Sequence, residues 1–200
     1  MNREISFCYD DQGYYVNNKC FFITSDEIDL KYLNGLFLSK LYKFLFQSMS
    51  SSLGKETVEM RKSYIKKVPI LHSEHYEKAI SSEVSIILEK NKLLTPEIRS
   101  FRNWLRRTFG IDTLSKKLEK YYELNFEEFL LEIKKKKVDI TQRKTQDLLE
   151  KEFYASLEII GSLQREIKET DDKINQLVYE LYELTEEEIS IIEEKRKVII

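Results

Sequence analysis

The chain has 200 residues, of which 42% are hydrophobic and 34% are charged, and its formal net charge at pH 7 is −2. This composition excludes a disordered chain and is sufficient for one medium-sized domain with a helical extension. No run approaches the roughly eighteen apolar residues of a membrane-spanning helix, and the first seven residues lack a signal-peptide pattern. Cys8 and Cys20 have no metal-type spacing, so we expect free or buried thiols. We therefore expect a cytoplasmic protein with no membrane partner.

The N-terminal segment alternates short apolar runs with turn residues. Aromatic and β-branched side chains fill these runs, which predicts three strands joined by tight turns, at residues 5–9, 14–16 and 20–23. Apolar residues then recur every three or four positions, which predicts one helix from Ser25 or Asp26 to about Gln47. A further short strand is expected to end near Pro69. The predicted fold class is therefore α+β, with a small N-terminal β-rich subdomain that packs one helix.

Beyond Ser73 the pattern becomes helical and stays so. One helix is predicted over residues 76–94, and Thr95 followed by Pro96 predicts the capped start of a second helix that Gly110 ends. Two shorter helices are expected before residue 140, and the second of them opens at Asn125 and runs into the lysines of residues 134–137. The C-terminal half is therefore predicted to be all-helical.

Residues Thr141 to Leu184 predict one helix of unusual length, with a single glycine and no proline. Its apolar residues form two columns of seven-residue spacing, which are Phe153, Ile160, Ile167, Ile174 and Leu181, and then Leu149, Leu163 and Leu177. This heptad pattern favours a coiled-coil-like helix that serves as a core stripe, as a spacer, or as the interface of a homodimer. Thr185 and Glu188 then predict a capping box at the start of a short terminal helix.

Motifs of catalysis and cofactor binding are lacking in the sequence. The two prolines lie far apart, which excludes the Asn-Pro-Pro-Tyr-like loop of amino-methyltransferases, and the scattered glycines exclude a nucleotide-binding loop. The run from His72 to His75 lacks a third histidine and is interpreted as a polar turn rather than a metal site. Glu132 and Lys134 have the acid-x-lysine spacing of metal nucleases, but they fall in a helical pattern and are interpreted as a solvated face. We expect no enzymatic activity, no cofactor and no metal.

The loop from Ser48 to Lys62 differs from the rest of the chain because it combines small hydroxyl side chains, one glycine and several cations. Small polar side chains let a loop enter a DNA groove, while Lys and Arg neutralise the phosphates beside it. The residues predicted to contact DNA are Ser50, Ser51, Ser52, Lys55, Arg61, Lys62 and Lys66. An ordinary surface loop is the alternative. Arg102, Arg106 and Arg107 are a weaker set for phosphate contact, because apolar residues between them indicate that their helix also packs inward.

Several motifs, in order, resemble the TaqI-like C-terminal specificity domain, the target-recognition part of type IIG restriction-modification enzymes. In the N-terminal part the resemblance is carried by residues 14–15, 20–23, 30–41, 51–54 and 64–70, and in the helical half by residues 114–120, 125–130 and 171–189. The resemblance implies a DNA-reading module that acts with nuclease and adenine-methyltransferase domains, and it implies that this chain matches the C-terminal part of a complete domain. The chain departs from the family at Lys55 to Glu59, where relatives are richer in glycine, and at Glu183, where glycine is common.

We thus predict a non-catalytic, sequence-specific DNA-recognition module, as a fragment or subunit of a type IIG system. Its expected partners are double-stranded DNA and methyltransferase or nuclease domains. The predicted organisation is a recognition part at residues 1–73, a helical packing region at 74–140, and the long and terminal helices at 141–200. The alternative is a helical scaffold that self-associates through the long helix, or docks on a separate methylase, without binding DNA.

Overall fold

The computed structural model describes residues 7–17, 20–49 and 62–197. Every regular element in these ranges is a helix. In chain order they are α1 (Leu30–Leu38), α2 (Lys40–Met49), α3 (Lys62–Ile65), α4 (Glu74–Phe109), α5 (Lys116–Glu119), a 3₁₀ turn (Tyr121–Glu123), α6 (Phe126–Lys135), α7 (Arg143–Leu181) and α8 (Glu186–Lys197). Within the described ranges, none of these helices is both long and apolar enough to cross a membrane.

The helices pack into two compact units. Unit 1 takes residues 1–87 and 169–200, and unit 2 takes residues 88–168. The two longest helices, α4 and α7, each contribute one segment to unit 1 and another to unit 2. The predicted division into residues 1–73, 74–140 and 141–200 stays a prediction.

The predicted α+β fold is wrong, because residues 7–17 and 20–29 contain no strand. The turn expected between the first two runs does form, since the Asp10 carboxylate accepts bonds from the backbone of Gln12 and Tyr14, and Gly13 adopts a φ of +73°. The aromatic side chains of the second and third runs are exposed, and Tyr15 is fully so, whereas Phe7 and Tyr9 of the first run are partly buried. β-propensity reflects how a side chain fits a pleated, half-buried surface, and a strand also needs a partner for its backbone hydrogen bonds. In the described residues that partner strand does not occur.

The single helix predicted from residue 25 to residue 47 is divided in two at Ser39. Asp29 caps the first helix by accepting a bond from the Lys31 amide, so the start lies later than predicted. Ser39 has extended backbone, and its hydroxyl donates to the Leu36 carbonyl at 2.6 Å. Serine side chains compete in this way with helical backbone bonds.

The opposite difference occurs at Pro96, where two predicted helices are one continuous α4. A proline costs a helix one backbone donor and usually kinks or ends it. Here burial on both sides of the proline opposes that tendency, because Val84 is buried in unit 1 and Phe101 and Leu105 are buried in unit 2.

The long helix is confirmed, with bounds at Arg143 and Leu181 instead of 141 and 184. The residues of its heptad columns pack within the units of the same chain. Phe153 and Ile160 are buried in the core of unit 2, whereas Ile174 and Leu181 are buried in unit 1. Such burial is what a core stripe predicts.

Unit 1 owes its close packing to one glycine. A Cβ built on Gly35 of α1 would lie 2.5 Å from a methyl carbon of Ile80 and 3.0 Å from one of Val84, both on α4. The first distance is shorter than real Cβ contacts and the second is unusually tight, so a side chain on residue 35 would force α1 and α4 apart. By contrast, a Cβ on Gly161 of α7 would meet nothing within 4 Å.

Aromatic side chains dominate the core of unit 2. Phe101 stacks on Tyr121 with ring centroids 4.1 Å apart, and Phe129 stacks on Phe153 at 4.6 Å. The Tyr121 hydroxyl forms a hydrogen bond with the Ser156 hydroxyl at 2.7 Å. Ser156 is a buried polar residue midway between Leu149 and Leu163 of the second heptad column, and this bond satisfies its hydroxyl. The capping box opened by Asn125 holds α6 at its predicted start.

Candidate nucleic-acid interface

The predicted contact residues divide into those the structure describes and those it does not. Ser50, Ser51, Ser52, Lys55 and Arg61 lie outside the described residues, so their placement stays a prediction. Lys62 begins α3, and Lys66 lies in the turn that follows it. The described chain resumes at Lys62 after stopping at Met49, the last residue of α2. Both ends of the predicted loop therefore belong to unit 1.

Lys66 and Lys67 form an exposed basic turn at the end of α3. The amide of Lys67 donates to the Tyr64 carbonyl at 3.0 Å, and the amide of Val68 donates to the Ile65 carbonyl at 3.4 Å. Val68 is buried. The turn thus projects two cations outward while the next residue is fixed in the core, which is an arrangement suited to phosphate contact.

Three tyrosine hydroxyls hold the segment that follows this turn, and we call Tyr32, Tyr42 and Tyr182 the tyrosine clamp. The hydroxyls of Tyr42 and Tyr182 lie 2.8 and 2.9 Å from the Pro69 carbonyl oxygen and 2.5 Å from each other. The Tyr182 oxygen also accepts a bond from the Leu71 amide at 3.1 Å, and the Tyr32 hydroxyl donates to the Leu71 carbonyl at 2.5 Å. Side chains of α1, α2 and the chain just after α7 therefore fix residues 69–71 by their backbone atoms.

The clamp is mostly buried, and burial changes the acidity of its phenols. Burial raises the pKa of Tyr42 well above its ordinary value, and the hydrogen bond with Tyr182 adds to that rise. Burial also raises the pKa of Tyr32, with smaller contributions from Tyr182 and Glu77. Tyr32 and Tyr42 therefore keep their protons at neutral pH and remain able to donate.

A carboxylate fixes the other side of the same segment. Glu77 of α4 accepts the Asp29 amide at 2.7 Å through one oxygen and contacts the His72 ring nitrogen Nε2 at 2.7 Å through the other. The Asp29 amide and then His72 hold the pKa of Glu77 below its usual range. Among the described residues, no three His, Cys, Asp or Glu side chains form a group that could hold a metal. His72 thus pairs with Glu77 and not with its sequence neighbours Glu74 and His75.

The remaining acid–base pair noted in the sequence is also structural. Glu132 is buried, and its two oxygens accept bonds from the Ser115 hydroxyl at 2.7 Å and from the Lys135 ammonium at 2.6 Å. Lys134 is exposed. The interpretation of Glu132 as part of a solvated face is wrong, because its carboxylate joins α5 to α6. Sequence inspection missed this role since Ser115 lies 17 residues from Glu132.

Two families of known domains match the chain. A model described as a domain of unknown function (DUF8810) matches residues 73–178, which is just over half of the chain. The chain belongs to the DUF8810 family. A second model, the TaqI-like C-terminal specificity domain, matches residues 1–70 and confirms the resemblance for that part. No curated protein and no solved structure matches the chain.

The two matches meet at the clamped segment. The specificity-domain match includes α1, α2, α3 and the basic turn, and it ends at Ile70. The DUF8810 match begins at Ser73, takes in α4 to α6 and most of α7, and ends at Val178. Tyr32 and Tyr42 thus come from the specificity-domain match, and Tyr182 lies four residues beyond the DUF8810 match. The sequence resemblance in the helical half falls mostly within DUF8810.

Proposed function

We propose that this chain is the DNA target-recognition module of a type IIG restriction-modification enzyme, and that it is non-catalytic. The match of residues 1–70 to the TaqI-like specificity domain supports the function class. The observation that carries the proposal is the basic turn at Lys66 and Lys67, which the tyrosine clamp fixes to unit 1 at the end of that match.

The proposed division of labour follows the chemistry of each residue type. Lys66, together with Arg61 and Lys62, contacts phosphates and sets the position of the module on the duplex. The hydroxyls of Ser50, Ser51 and Ser52, with Lys55, meet base edges in the groove. Because the loop starts after α2 and ends at α3, its two ends are attached to one packed unit. Attachment of both ends to one packed unit limits the entropy that a loop loses when it binds a partner.

Methylation or cleavage at the recognised site requires catalytic groups from other domains or subunits. We propose a methyltransferase or nuclease, in the same cytoplasmic complex, as that partner. A recognition module alone gives neither product, so the chain is expected to bind duplex DNA without altering it.

A binding titration with matched variants tests the proposal. The duplex preferred by the chain is selected from a random pool, and its affinity is compared with that of a scrambled duplex at several salt concentrations. Replacing Lys66 and Lys67 by Gln should weaken both affinities and reduce the salt slope by about 0.9 per lost phosphate contact. Lys173→Gln, at an exposed position in the unit 1 part of α7, is the control and should change neither.

The serine residues are tested separately because their role differs. Ser51→Ala with Ser52→Ala should reduce the preference for the selected duplex while leaving the salt slope unchanged. The proposal of sequence-specific recognition is refuted if the unaltered chain shows equal affinity for selected and scrambled duplexes.

The alternative, a self-associating scaffold, requires an open heptad seam. Ile160 and Ile174 are buried within their own units, and Ile167 is half-buried. We therefore expect light scattering to give the mass of a monomer. A dimer that Ile167→Glu dissociates would favour the alternative.

A further inference from the structure

The formal charge of unit 2 is positive, although the formal net charge of the whole chain is −2. Residues 88–168 contain 18 Lys and Arg against 14 Asp and Glu, whereas the rest of the chain contains 15 against 21. A near-neutral total therefore divides into a basic unit and an acidic one. An excess of positive charge on one unit favours a polyanionic partner for that unit.

Packing gathers lysines from two helices at one place on unit 2. The buried Glu132 bonds to Ser115, the residue that caps α5, and so joins the start of α5 to the last turn of α6. This junction places the start of α5, which contains Lys116 and Lys117, against the last turn of α6, which contains Lys134 and Lys135. The proximity of Lys117 to Glu132 is also visible in its contribution to the lowered pKa of that carboxyl, which the Lys135 and Ser115 bonds dominate.

The acidic residues nearest to the cluster along the chain are Glu119, which ends α5, Asp139, which accepts bonds from Thr141, and Glu132, so the lysines outnumber them. Glu132 is buried and already bonded to Lys135. The acidic first turn of α6, at Glu127 and Glu128, lies about seven residues before Lys134, or roughly 10 Å along the helix. Lys116, Lys117 and Lys134 are exposed. Their ammonium groups are therefore accessible to a partner.

Lys137 adds an independent observation at the same end of α6. Its φ is +62°, in the left-handed region that glycine or asparagine usually occupies after a helix. Its amide closes the helix by donating to the Lys134 carbonyl at 2.9 Å. A lysine costs stability at such a position, and side chains retained against that cost occur preferentially at functional sites. Lys137 is exposed and extends the cluster.

We propose that Lys116, Lys117, Lys134 and Lys137, which we call the unit 2 basic surface, bind backbone phosphates of duplex DNA. The choice of DNA as the polyanion rests on the proposed function. Lysine is a flexible point charge that suits phosphate and carries no base preference of its own. This surface therefore adds affinity to duplexes of any sequence, whereas the loop of unit 1 supplies the sequence preference.

The test uses the full chain and a triple replacement, Lys116→Gln, Lys117→Gln and Lys134→Gln, that leaves Lys135 in place to pair with Glu132. The slope of log affinity against log salt should fall by about 0.9 per charge, roughly three in all, on selected and scrambled duplexes alike. The matched control replaces the exposed cations Lys92, Arg165 and Lys168, elsewhere on unit 2, by Gln. It should leave the slope unchanged.

Lys137→Gly separates binding from folding. Glycine adopts the left-handed conformation without strain, so the midpoint of urea unfolding should rise. Loss of the ammonium group should lower the affinity for both duplexes and reduce the salt slope. A purely structural lysine would give the first change without the second.

The outcomes distinguish this inference from the proposed function. If the triple variant matches its control while the unaltered chain still prefers the selected duplex, the inference is wrong and the function stands. If the unaltered chain lacks sequence preference but the triple variant loses salt-dependent binding, the function is wrong and the inference stands. Absence of binding to any duplex at low salt overturns both.

Discussion

The tyrosine clamp gives a prediction whose size follows from counting protons. Each phenol has one proton, so of the Tyr42 and Tyr182 hydroxyls one donates to Pro69 and the other to its partner hydroxyl. Tyr42→Phe leaves Tyr182 able to donate to Pro69 and loses one bond. Tyr182→Phe leaves Tyr42 in that role but loses two bonds, since Leu71 also loses its acceptor.

At about 1 kcal/mol per hydrogen bond, Tyr42→Phe should reduce the free energy of unfolding by about 1 kcal/mol and Tyr182→Phe by about 2 kcal/mol. The double replacement removes every side-chain donor to Pro69, so it should cost about 3 kcal/mol. Leu71 is 45% exposed, and water will replace part of its lost bond, which places the Tyr182→Phe value at the lower end. The expected order of cost is therefore Tyr42→Phe, then Tyr182→Phe, then the double replacement.

Urea unfolding followed by circular dichroism measures these costs, with hydrogen exchange of the Leu71 amide as a local probe. Tyr154→Phe, at an exposed position of α7, should change neither. The variants keep their charge, so they should lose DNA affinity with an unchanged salt slope. A cost for Tyr42→Phe that equals or exceeds that for Tyr182→Phe would refute the proton count, as would a double variant no less stable than Tyr182→Phe.

Further substitutions and a pH change test the fold. Gly35→Ala should lower the free energy of unfolding by about 1–3 kcal/mol, because the added methyl group overlaps with α4. Gly161→Ala should raise the free energy of unfolding by about 0.5–1 kcal/mol, because a Cβ on Gly161 meets nothing within 4 Å. The midpoint of urea unfolding measures both changes. Glu183→Gly should stabilise by about 0.5–1 kcal/mol because Glu183 has a φ of +51°, and an unchanged or lower midpoint would contradict this. Burial raises the pKa of Tyr121 to about 12 and that of Tyr42 further. The stability that these protonated phenols contribute is therefore complete below pH 10, the ordinary tyrosine pKa, and should be lost as the pH rises above 10. Absorbance at about 295 nm should show that the phenols ionise as the chain unfolds.

Helices with strong local signals were predictable from the sequence. The terminal helix starts where Thr185 and Glu188 form their capping box, with the Thr185 amide donating to Glu188 at 2.8 Å and the Glu188 amide donating to Thr185 at 3.3 Å. Six of the eight heptad residues of α7 are likewise buried, whereas Ile167 and Leu177 are half-buried. Capping and periodicity act over one or two turns, so a single sequence contains them completely.

The predicted strands were wrong because their formation depends on residues outside the local sequence. A strand depends on a partner that can lie anywhere in a chain, and the local alternation at residues 14–23 cannot show whether that partner exists. Pro96 shows a similar limit within helices, because burial on both sides of it accompanies a continuous α4 where the local signal predicted a new helix. Glu183 was signalled indirectly, because the resemblance implied glycine at this position, and the backbone of Glu183 is left-handed.

The candidate site combines both kinds of information. The sequence predicted Lys66 as a DNA-contacting cation that precedes a strand ending near Pro69. The structure has a turn at Lys66 and no strand there, and the DNA contact stays a prediction. The clamp was not predictable, because Tyr42 and Tyr182 are separated by 140 residues, and each reads in the sequence as one more aromatic of a helix. Yet the clamp is what gives Lys66 a fixed position relative to the loop ends, and an anchored cation loses less entropy on meeting a phosphate than one on a free chain. Lys66, which is proposed to contact phosphate, is thus close in sequence to the predicted loop, whereas Tyr42 and Tyr182, which fix its position, are distant from each other in sequence.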